Sequence, residues 1–123
     1  MRIQESAENY LEAILMIKKK KGNVRSIDIV NHLNVTKPSV SVAMKNFRED
    51  GYIVMDEEGA ITLTEKGQEI AERMYERHQL IAKALMIIGV DEETAYEDSC
   101  KIEHDISDIT VEKIKEFLKK HNR

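Results

Sequence analysis

The 123-residue sequence is poor in residues that interrupt regular structure or cross-link chains. It has one proline, five glycines and no tryptophan, and so few helix breakers predict a mostly helical chain. The single cysteine, Cys100, cannot form a disulfide within the chain, which is typical of a reducing compartment. No apolar run approaches the roughly 20 residues of a membrane-spanning helix, and the N-terminus lacks the apolar core of a signal peptide. We therefore expect a cytoplasmic protein with no membrane contact.

Charge is distributed unevenly along the chain, whose net charge is -4. Residues 1–53 hold nine lysines and arginines and six acidic residues, whereas residues 54–123 hold ten and seventeen. The first part therefore carries a net charge of +3 and the second a net charge of -7. A basic part could contact DNA phosphates, and an acidic part could hold cations. Chance asymmetry would give the same pattern, so the split acquires meaning only beside other features.

Apolar periodicity divides the sequence into six helices and one hairpin. The helices are expected at about 6–19, 26–33, 36–49, 64–88, 91–106 and 110–120. Two short apolar segments, 52–55 and 60–63, flank a polar turn that ends at Gly59, which is typical of a β-hairpin. Helix, helix, turn, helix and hairpin is the order of a winged helix-turn-helix. The sequence predicts a mostly α fold, with a winged-helix DNA-binding domain at residues 1–63 and a helical domain at residues 64–123.

The third predicted helix has one face suited to the major groove of DNA. That face carries small polar groups, an aliphatic side chain and lysines, and the predicted DNA-contacting residues are Thr36, Lys37, Pro38, Ser39, Ser41, Val42 and Lys45. Serine hydroxyls can bond to base edges, the Val42 methyls can contact a thymine methyl, and lysines can contact phosphates. The alternative is a winged helix that binds another protein.

The fifth predicted helix carries potential metal ligands. Cys100, Glu103 and His104 are three and four residues apart, so they lie on one helical face. A thiolate, a carboxylate and an imidazole that converge make a partial site for a divalent metal. His78 falls within the apolar stripe of the fourth helix and should point inward, where a hydrogen-bonded core histidine is the ordinary alternative.

Five segments of the chain resemble the diphtheria-toxin-repressor and manganese-transport-regulator family. They are Ala7-Glu8-Asn9-Tyr10-Leu11-Glu12, the helix from Thr36 to Gly51, Leu63-Thr64-x-x-Gly67, Arg77-His78, and Asp98-Ser99-Cys100-Lys101-Ile102-Glu103-His104. The resemblance implies a homodimeric repressor that binds double-stranded operator DNA when Fe(II) or Mn(II) is bound, without enzymatic activity or an organic cofactor. It also implies that the helical domain dimerises and binds metal. We expect the short form, without a C-terminal small β-barrel.

The resemblance further implies six metal ligands, namely Asn9, Glu12, His78, Cys100, Glu103 and His104. Cys100, Glu103 and His104 match the iron-type pattern, in which manganese-type members place a carboxylate at the position of Cys100. Asn9 matches neither type, since iron-type members have methionine there and manganese-type members have aspartate. Glu12 and His78 match the second site of the manganese type.

These matches favour a hybrid site for two ions. One ion would bind Asn9, Cys100, Glu103 and His104, and the other would bind Glu12 and His78, with Glu103 as a candidate bridge. Ala82 and Tyr96 stand where iron-type members have ancillary ligands, so that version of the second site is not expected. A thiolate shifts preference from Mn(II) toward softer ions. We expect Fe(II) in the cell, with Mn(II) close behind, and binding of Co(II), Ni(II) or Zn(II) in vitro.

Three alternatives remain open from the residues alone. The winged helix could respond to a small organic ligand or to oxidation of Cys100. A metalloenzyme would need an open coordination position, a substrate cleft and a general base, and the sequence offers no motif for them beyond Glu103. A purely structural adaptor is the third alternative.

Overall fold

The computed structural model describes residues 2–121, with the side chains of residues 6–121. In these residues the elements are α1 (Arg2–Lys21), α2 (Ser26–Leu33), α3 (Lys37–Glu49), β1 (Ile53–Met55), β2 (Ile61–Leu63), α4 (Glu65–Ile87), α5 (Glu92–Ile102) and α6 (Asp108–His121). The chain divides into two compact units, residues 1–73 and residues 74–123. The predicted mostly α fold with one hairpin is confirmed. No helix in the described range has the length and apolar character needed to cross a membrane.

The first unit is a winged helix-turn-helix. Helix α2 packs on both α1 and α3, while α1 contacts β2 and α3 contacts β1. The inward faces of the three helices supply a core of Leu11, Ile14, Ile29, Val40 and Met44. Strands β1 and β2 pair antiparallel, with Ile53 opposite Leu63 and Met55 opposite Ile61. Because side chains alternate along a strand, Ile53 and Ile61 are both buried while the central residues of the two strands are exposed.

Local hydrogen bonds fix the start of α3. The hydroxyl oxygen of Thr36 accepts from the backbone N–H of Ser39 at 3.2 Å, which satisfies one of the donors left open at a helix N-terminus. Pro38 lies in the first turn, where a missing N–H removes no helical bond. Asn34 has a left-handed backbone with φ of 57° and ends α2, so the chain turns sharply into α3.

Hydrogen bonds hold the β1–β2 hairpin, which is the wing, at its turn and along one edge. The Asp56 carboxylate accepts from the backbone N–H groups of Glu58 and Ala60, both at 2.9 Å. The Arg25 guanidinium donates to the carbonyl of Glu58. The N–H of Ile61 donates to the carbonyl of Val24 at 2.8 Å. The segment that precedes α2 therefore holds the hairpin in place.

In the second unit, α5 differs from the predicted helix. The Asp91 side chain caps it by accepting from the N–H of Thr94 at 3.0 Å, as expected. The predicted end at residue 106 is wrong, because α5 ends at Ile102 and an irregular segment leads to α6. Helical spacing alone would place Ile109 on one apolar face with Ile102 and Ile106. This spacing does not extend through the connection, and Ile109 is 74% exposed.

The other helix boundaries differ less. Helix α1 begins at Arg2, α4 ends at Ile87 and α6 begins at Asp108. The prediction that Ile88 extends the apolar stripe of α4 is wrong, since Ile88 lies beyond the helix and is exposed. The apolar spacing of the last predicted helix favours inward positions for Phe117 and Leu118, but only Leu118 is buried.

Candidate metal centre and DNA-binding surface

His78 of α4 is the centre of a polar cluster in the second unit. The imidazole is buried. Its Nδ1 atom faces three side chains, two from α5 and one from the C-cap residue of that helix. Nδ1 lies 2.9 Å from the Ser99 hydroxyl, 3.6 Å from the Cys100 sulfur and 3.4 Å from Oε2 of Glu103. The Tyr96 ring packs against the imidazole with a centroid separation of 5.3 Å. The ring nitrogen that faces the cluster is thus surrounded by potential ligands.

Glu103 is a carboxylate in an unusual setting. Its side chain is fully buried, and neither carboxylate oxygen accepts a hydrogen bond from any described residue. The 3.4 Å separation from His78 is within ion-pair distance, but the geometry is not that of a hydrogen bond. A buried carboxylate with its lone pairs unsatisfied costs several kcal/mol unless a cation compensates it. A positive charge beside the Glu103 carboxylate would therefore stabilise the folded chain.

The potential ligand atoms of His78, Cys100 and Glu103 all lie within 4.8 Å of one another. Imidazole nitrogen, thiolate sulfur and carboxylate oxygen form a donor set that divalent transition metals bind. The buried carboxylate without donors and the close approach of the three atoms both fit a bound divalent cation. An ion bound there would contribute positive charge that compensates Glu103.

The ionisation of His78 reflects the same surroundings. Burial of the ring acts to lower its pKa, but the neighbouring Cys100 and Glu103 outweigh burial and raise the pKa from 6.5 to about 10. In the metal-free chain a proton on His78 therefore supplies the positive charge that the carboxylate lacks. A metal that binds Nδ1 has to displace this proton.

The remaining predicted ligands lie in two places. His104 follows Glu103 directly, is half-buried and is not a member of the three-residue group. Asn9 and Glu12 lie on α1 in the first unit, Asn9 half-buried and Glu12 buried. Both residues lie opposite the apolar stripe of α1, where the sequence alone favours a solvent-exposed face, and the burial of Glu12 departs from that expectation.

Ser99 was missed by the sequence analysis. Its fully buried hydroxyl donates to the carbonyl of Tyr96 at 2.9 Å, so it accepts when Nδ1 of His78 donates. A signal existed in the sequence, since residues 95, 99 and 103 are four apart and lie on one helical face. A buried serine between Ala95 and Glu103 could have been recognised as a partner for a nearby ligand.

All seven predicted DNA-contacting residues are exposed on α3 or at its N-cap. Val42 gives the strongest indication of a contact surface, because 60% of its surface is accessible although the nearby Val40 and Met44 are buried. A groove of about 880 Å³ runs beside this surface, and its lining includes Pro38 and Val42 together with Tyr10. The face combines hydroxyls, methyl groups and lysines, as a surface that reads a major groove does.

Comparison with known proteins identifies both parts of the chain. Residues 2–61 match the family model described as iron dependent repressor, N-terminal DNA binding domain. Residues 64–123 match the model described as iron dependent repressor, metal binding and dimerisation domain.

Individual relatives agree with the family models. The HTH-type transcriptional regulator MntR of Lysinibacillus sphaericus is 35% identical over 113 residues, which are 92% of this chain and 81% of the relative. An uncharacterized HTH-type transcriptional regulator of Methanocaldococcus jannaschii is 36% identical over 120 residues, with 96% of each chain covered. The solved structure of the manganese regulator SloR has a TM-score of 0.79 at 28% identity, covering 92% of this chain and 53% of that one.

These matches confirm the family resemblance and favour a metal-responsive protein over one that responds to an organic ligand or to cysteine oxidation. The family binds DNA through its N-terminal domain and dimerises through its metal-binding domain. The chain therefore belongs to the iron-dependent repressors of the diphtheria-toxin-repressor and manganese-transport-regulator family and is a metal-dependent transcriptional repressor, not an enzyme.

Proposed function

We propose that the chain acts in the cytoplasm as a homodimer that binds operator DNA when loaded with divalent metal and represses genes of metal homeostasis. Residues 1–63 are the DNA-binding domain in this proposal, and residues 64–123 are the dimerisation and metal-binding domain. The observation that carries it is the fully buried Glu103 carboxylate, which faces His78 and Cys100 and accepts no hydrogen bond from the described residues.

The proposed ligand set has two levels of support. The short distances among their ligand atoms support His78, Cys100 and Glu103 as ligands. His78 and Glu103 are also buried, and Cys100 lies beside them. His104, Asn9 and Glu12 are supported by the family resemblance, and His104 additionally by its position directly after Glu103. An asparagine offers only a neutral carbonyl oxygen, so Asn9 would be the weakest ligand of the set.

We propose Fe(II) as the metal in the cell, with Mn(II) next. The structurally similar protein SloR is a manganese regulator, which supports Mn(II). The thiol of Cys100, whose sulfur lies 3.6 Å from Nδ1 of His78, supports the softer ion, because thiolate ligands favour Fe(II), Co(II) and Zn(II) over Mn(II).

Metal would control DNA binding through differential affinity. A ligand shifts an equilibrium only toward the state that binds it more tightly. Here the metal-competent state is the one in which His78 gives up its proton and Cys100 and Glu103 share an ion. In the DNA-competent dimer the two α3 helices would lie about 34 Å apart, one turn of DNA. The seven exposed residues of α3 and its cap would then enter successive major grooves.

A carboxylate-to-amide pair tests the site. Glu103→Gln removes one negative charge from the buried cluster. Glu116→Gln makes the same chemical change at an exposed position of α6. DNA selected from a random pool by the metal-loaded chain serves as the operator, and binding is followed by fluorescence anisotropy without oxygen. We expect metal-dependent binding to be lost in Glu103→Gln and kept in Glu116→Gln. Full metal dependence in Glu103→Gln would refute the assignment.

A titration series ranks the metals. The free concentration of Fe(II), Mn(II), Co(II) and Zn(II) that gives half-maximal DNA binding is measured with the wild-type chain. We expect Fe(II) to act at a lower free concentration than Mn(II). The opposite order would overturn the argument from thiolate softness, while leaving the metal-dependent function intact.

A further inference from the structure

The predicted ligands Glu103 and His104 lie where α5 loses its regular hydrogen bonding. Helix α5 ends at Ile102, and Glu103 is its C-cap with a helical backbone of φ -59° and ψ -25°. The segment from Glu103 to Ser107 is irregular and leads into α6. The carbonyls of Ser99 and Ile102 at the end of α5 accept from the N–H groups of Glu103 and Asp105. The carbonyls of Glu103 and of the residues after it have no helical partner, so contacts from outside α5 can satisfy them and set the position of the segment.

Arg77 meets this requirement. It precedes His78 on α4, and its Nη1 donates to the carbonyl of Glu103 at 3.0 Å and to the carbonyl of Ile106 at 2.9 Å. Its Nη2 donates to the Asp108 carboxylate at the start of α6. One guanidinium thus bonds to the end of α5, the connecting segment and the beginning of α6.

The burial of Arg77 indicates which of these contacts matters. The Arg77 side chain is 8% exposed, whereas the Asp108 side chain is 86% exposed. An ion pair with so exposed a carboxylate contributes little, because solvent screens it. By contrast, the two carbonyls accept hydrogen bonds from the buried Arg77 guanidinium and so compensate for its loss of contact with water. A guanidinium is suited to them, because the two N–H groups of Nη1 are fixed in direction by the planar group and reach one carbonyl each, while Nη2 is directed to Asp108.

We propose that Arg77 is a positioning residue for the metal ligands of the segment from Glu103 onward. Adjacent side chains of α4 then hold Glu103 at both ends: Arg77 holds its carbonyl, and His78 lies beside its carboxylate. The inference rests on the proposed metal site, and it assigns to Arg77 the task of keeping the ligand segment in place before metal arrives. Groups that orient metal ligands change metal affinity by about 10- to 100-fold when removed.

The test compares three substitutions by Co(II) binding, read from the thiolate-to-cobalt absorption band that Cys100 would give. Arg77→Lys keeps the charge but loses the fork, and it should weaken Co(II) binding by about tenfold or more. The band should persist at saturation, because Cys100 lies within α5. Arg77→Gln keeps one amide donor and should also weaken binding. Asp108→Asn is the matched control, and it should change binding by less than about threefold because its contact is screened.

A second readout uses the metal-free chain. Amide hydrogen exchange of residues 103–107 should become faster in Arg77→Lys and stay unchanged in Asp108→Asn. Wild-type affinity together with wild-type exchange in Arg77→Lys would overturn the role of Arg77. Absence of Co(II) binding in the wild-type chain would instead overturn the metal site itself, so the two failures are distinguishable.

Loss of folding in Arg77→Lys would shift the test to the wild-type chain. Nitrogen NMR of its arginine guanidinium groups should then show slow exchange and restricted rotation for Arg77, as its three bonds require. A freely rotating, rapidly exchanging Arg77 guanidinium would refute the proposal.

Discussion

The imidazole Nδ1 of His78 lies 2.9 Å from the hydroxyl of Ser99, and that hydroxyl donates to the carbonyl of Tyr96. Because the serine proton is used by Tyr96, Ser99 accepts from Nδ1–H when His78 carries a proton there. Ser99 therefore stabilises the metal-free chain through the same nitrogen that faces Cys100 and Glu103.

Ser99→Ala should act differently on the metal-free and the metal-loaded chain. Without metal, His78 loses an acceptor, and the free energy of unfolding should fall by about 1 kcal/mol. With metal on Nδ1 this hydrogen bond does not exist, so the loss should be smaller. Denaturant unfolding of Ser99→Ala with and without saturating Co(II) measures the difference.

Ser107→Ala is the control for this experiment. The Ser107 hydroxyl oxygen accepts from the N–H of Thr110 at 3.2 Å and caps α6. Its loss should cost about 1 kcal/mol in both forms, as removal of an N-cap does. An equal loss with and without metal in Ser99→Ala would contradict the role assigned to Nδ1.

The charge on His78 predicts a pH dependence of stability. Burial alone would lower its pKa, but Cys100 and Glu103 raise it to about 10, whereas the unfolded chain should return to about 6.5. A folded pKa above the unfolded value contributes stability that is complete below pH 6.5 and is lost as pH rises through 10. We expect the metal-free chain to lose at least about 1 kcal/mol between pH 6.5 and pH 10, as measured by urea unfolding.

His78→Gln removes the titrating ring and leaves Cys100, Glu103 and Tyr96 in place. Its unfolding free energy should therefore depend less on pH over the same interval than that of the wild-type chain. Parallel curves for the two proteins would mean that His78 is neutral in the folded, metal-free state.

Two substitutions on α3 should separate DNA affinity from DNA specificity. Lys45→Gln removes an exposed cation and should weaken binding to all sequences, with a salt dependence lower by about one counterion. Val42→Ala removes exposed methyl groups and should cost about 1 kcal/mol only on sites with thymine at the contacted position. Anisotropy on operator variants at several salt concentrations measures both effects.

Lys113→Gln provides a charge-matched control, because Lys113 is exposed on α6 of the second unit. It should leave the salt dependence of DNA binding near that of the wild-type chain. A uniform loss across all sequences in Val42→Ala would argue against a contact between its methyl groups and a base.

The sequence was most informative where a single helix determines whether a side chain is buried, exposed or on the same face as another. The inward position of His78 follows from the apolar stripe of α4, and its burial agrees. The shared face of Cys100 and Glu103 follows from helical spacing, and it survives the early end of α5 because Glu103 keeps a helical backbone. The exposed face of α3 likewise follows from its own periodicity.

The sequence was least informative where partners come from different elements. Arg77 bonds to carbonyls beyond the end of α5, and a backbone acceptor carries no side-chain signal that a pattern could reveal. The end of α5 itself was misplaced because Ile106 lies four residues after Ile102 and continues its apolar spacing, although the helix ends at Ile102. The packing of Tyr96 against His78 also joins two elements, whereas Ser99 was missed although its spacing from Ala95 and Glu103 gave a signal.

Gly67 should be the least replaceable glycine of the chain. It lies in the first turn of α4, and a Cβ atom added there would stand 2.2 Å from the carbonyl oxygen of Tyr52 and 3.1 Å from its carbon. That carbonyl accepts from the N–H of Thr64 at 3.0 Å, and the Thr64 hydroxyl donates to the carbonyl of Gly51 at 2.6 Å. One backbone and one side-chain hydrogen bond of Thr64 therefore join the start of α4 to the turn that follows α3. The nearest obstacle to the added atom is backbone, which cannot move aside as a flexible side chain can.

Gly67→Ala should accordingly lower the free energy of unfolding by about 2 kcal/mol or more, although alanine favours a helix by about 1 kcal/mol over glycine. Gly22→Ala is the comparison, since Gly22 has a φ of 91° and nothing within 4 Å of the added atom. Its cost should be about 1 kcal/mol, from backbone strain alone. Denaturant unfolding of both variants gives the ranking. A Gly67→Ala chain as stable as the wild type would mean that Tyr52 and α4 can separate at little cost, and the backbone contact would then not define how α4 leaves the winged helix.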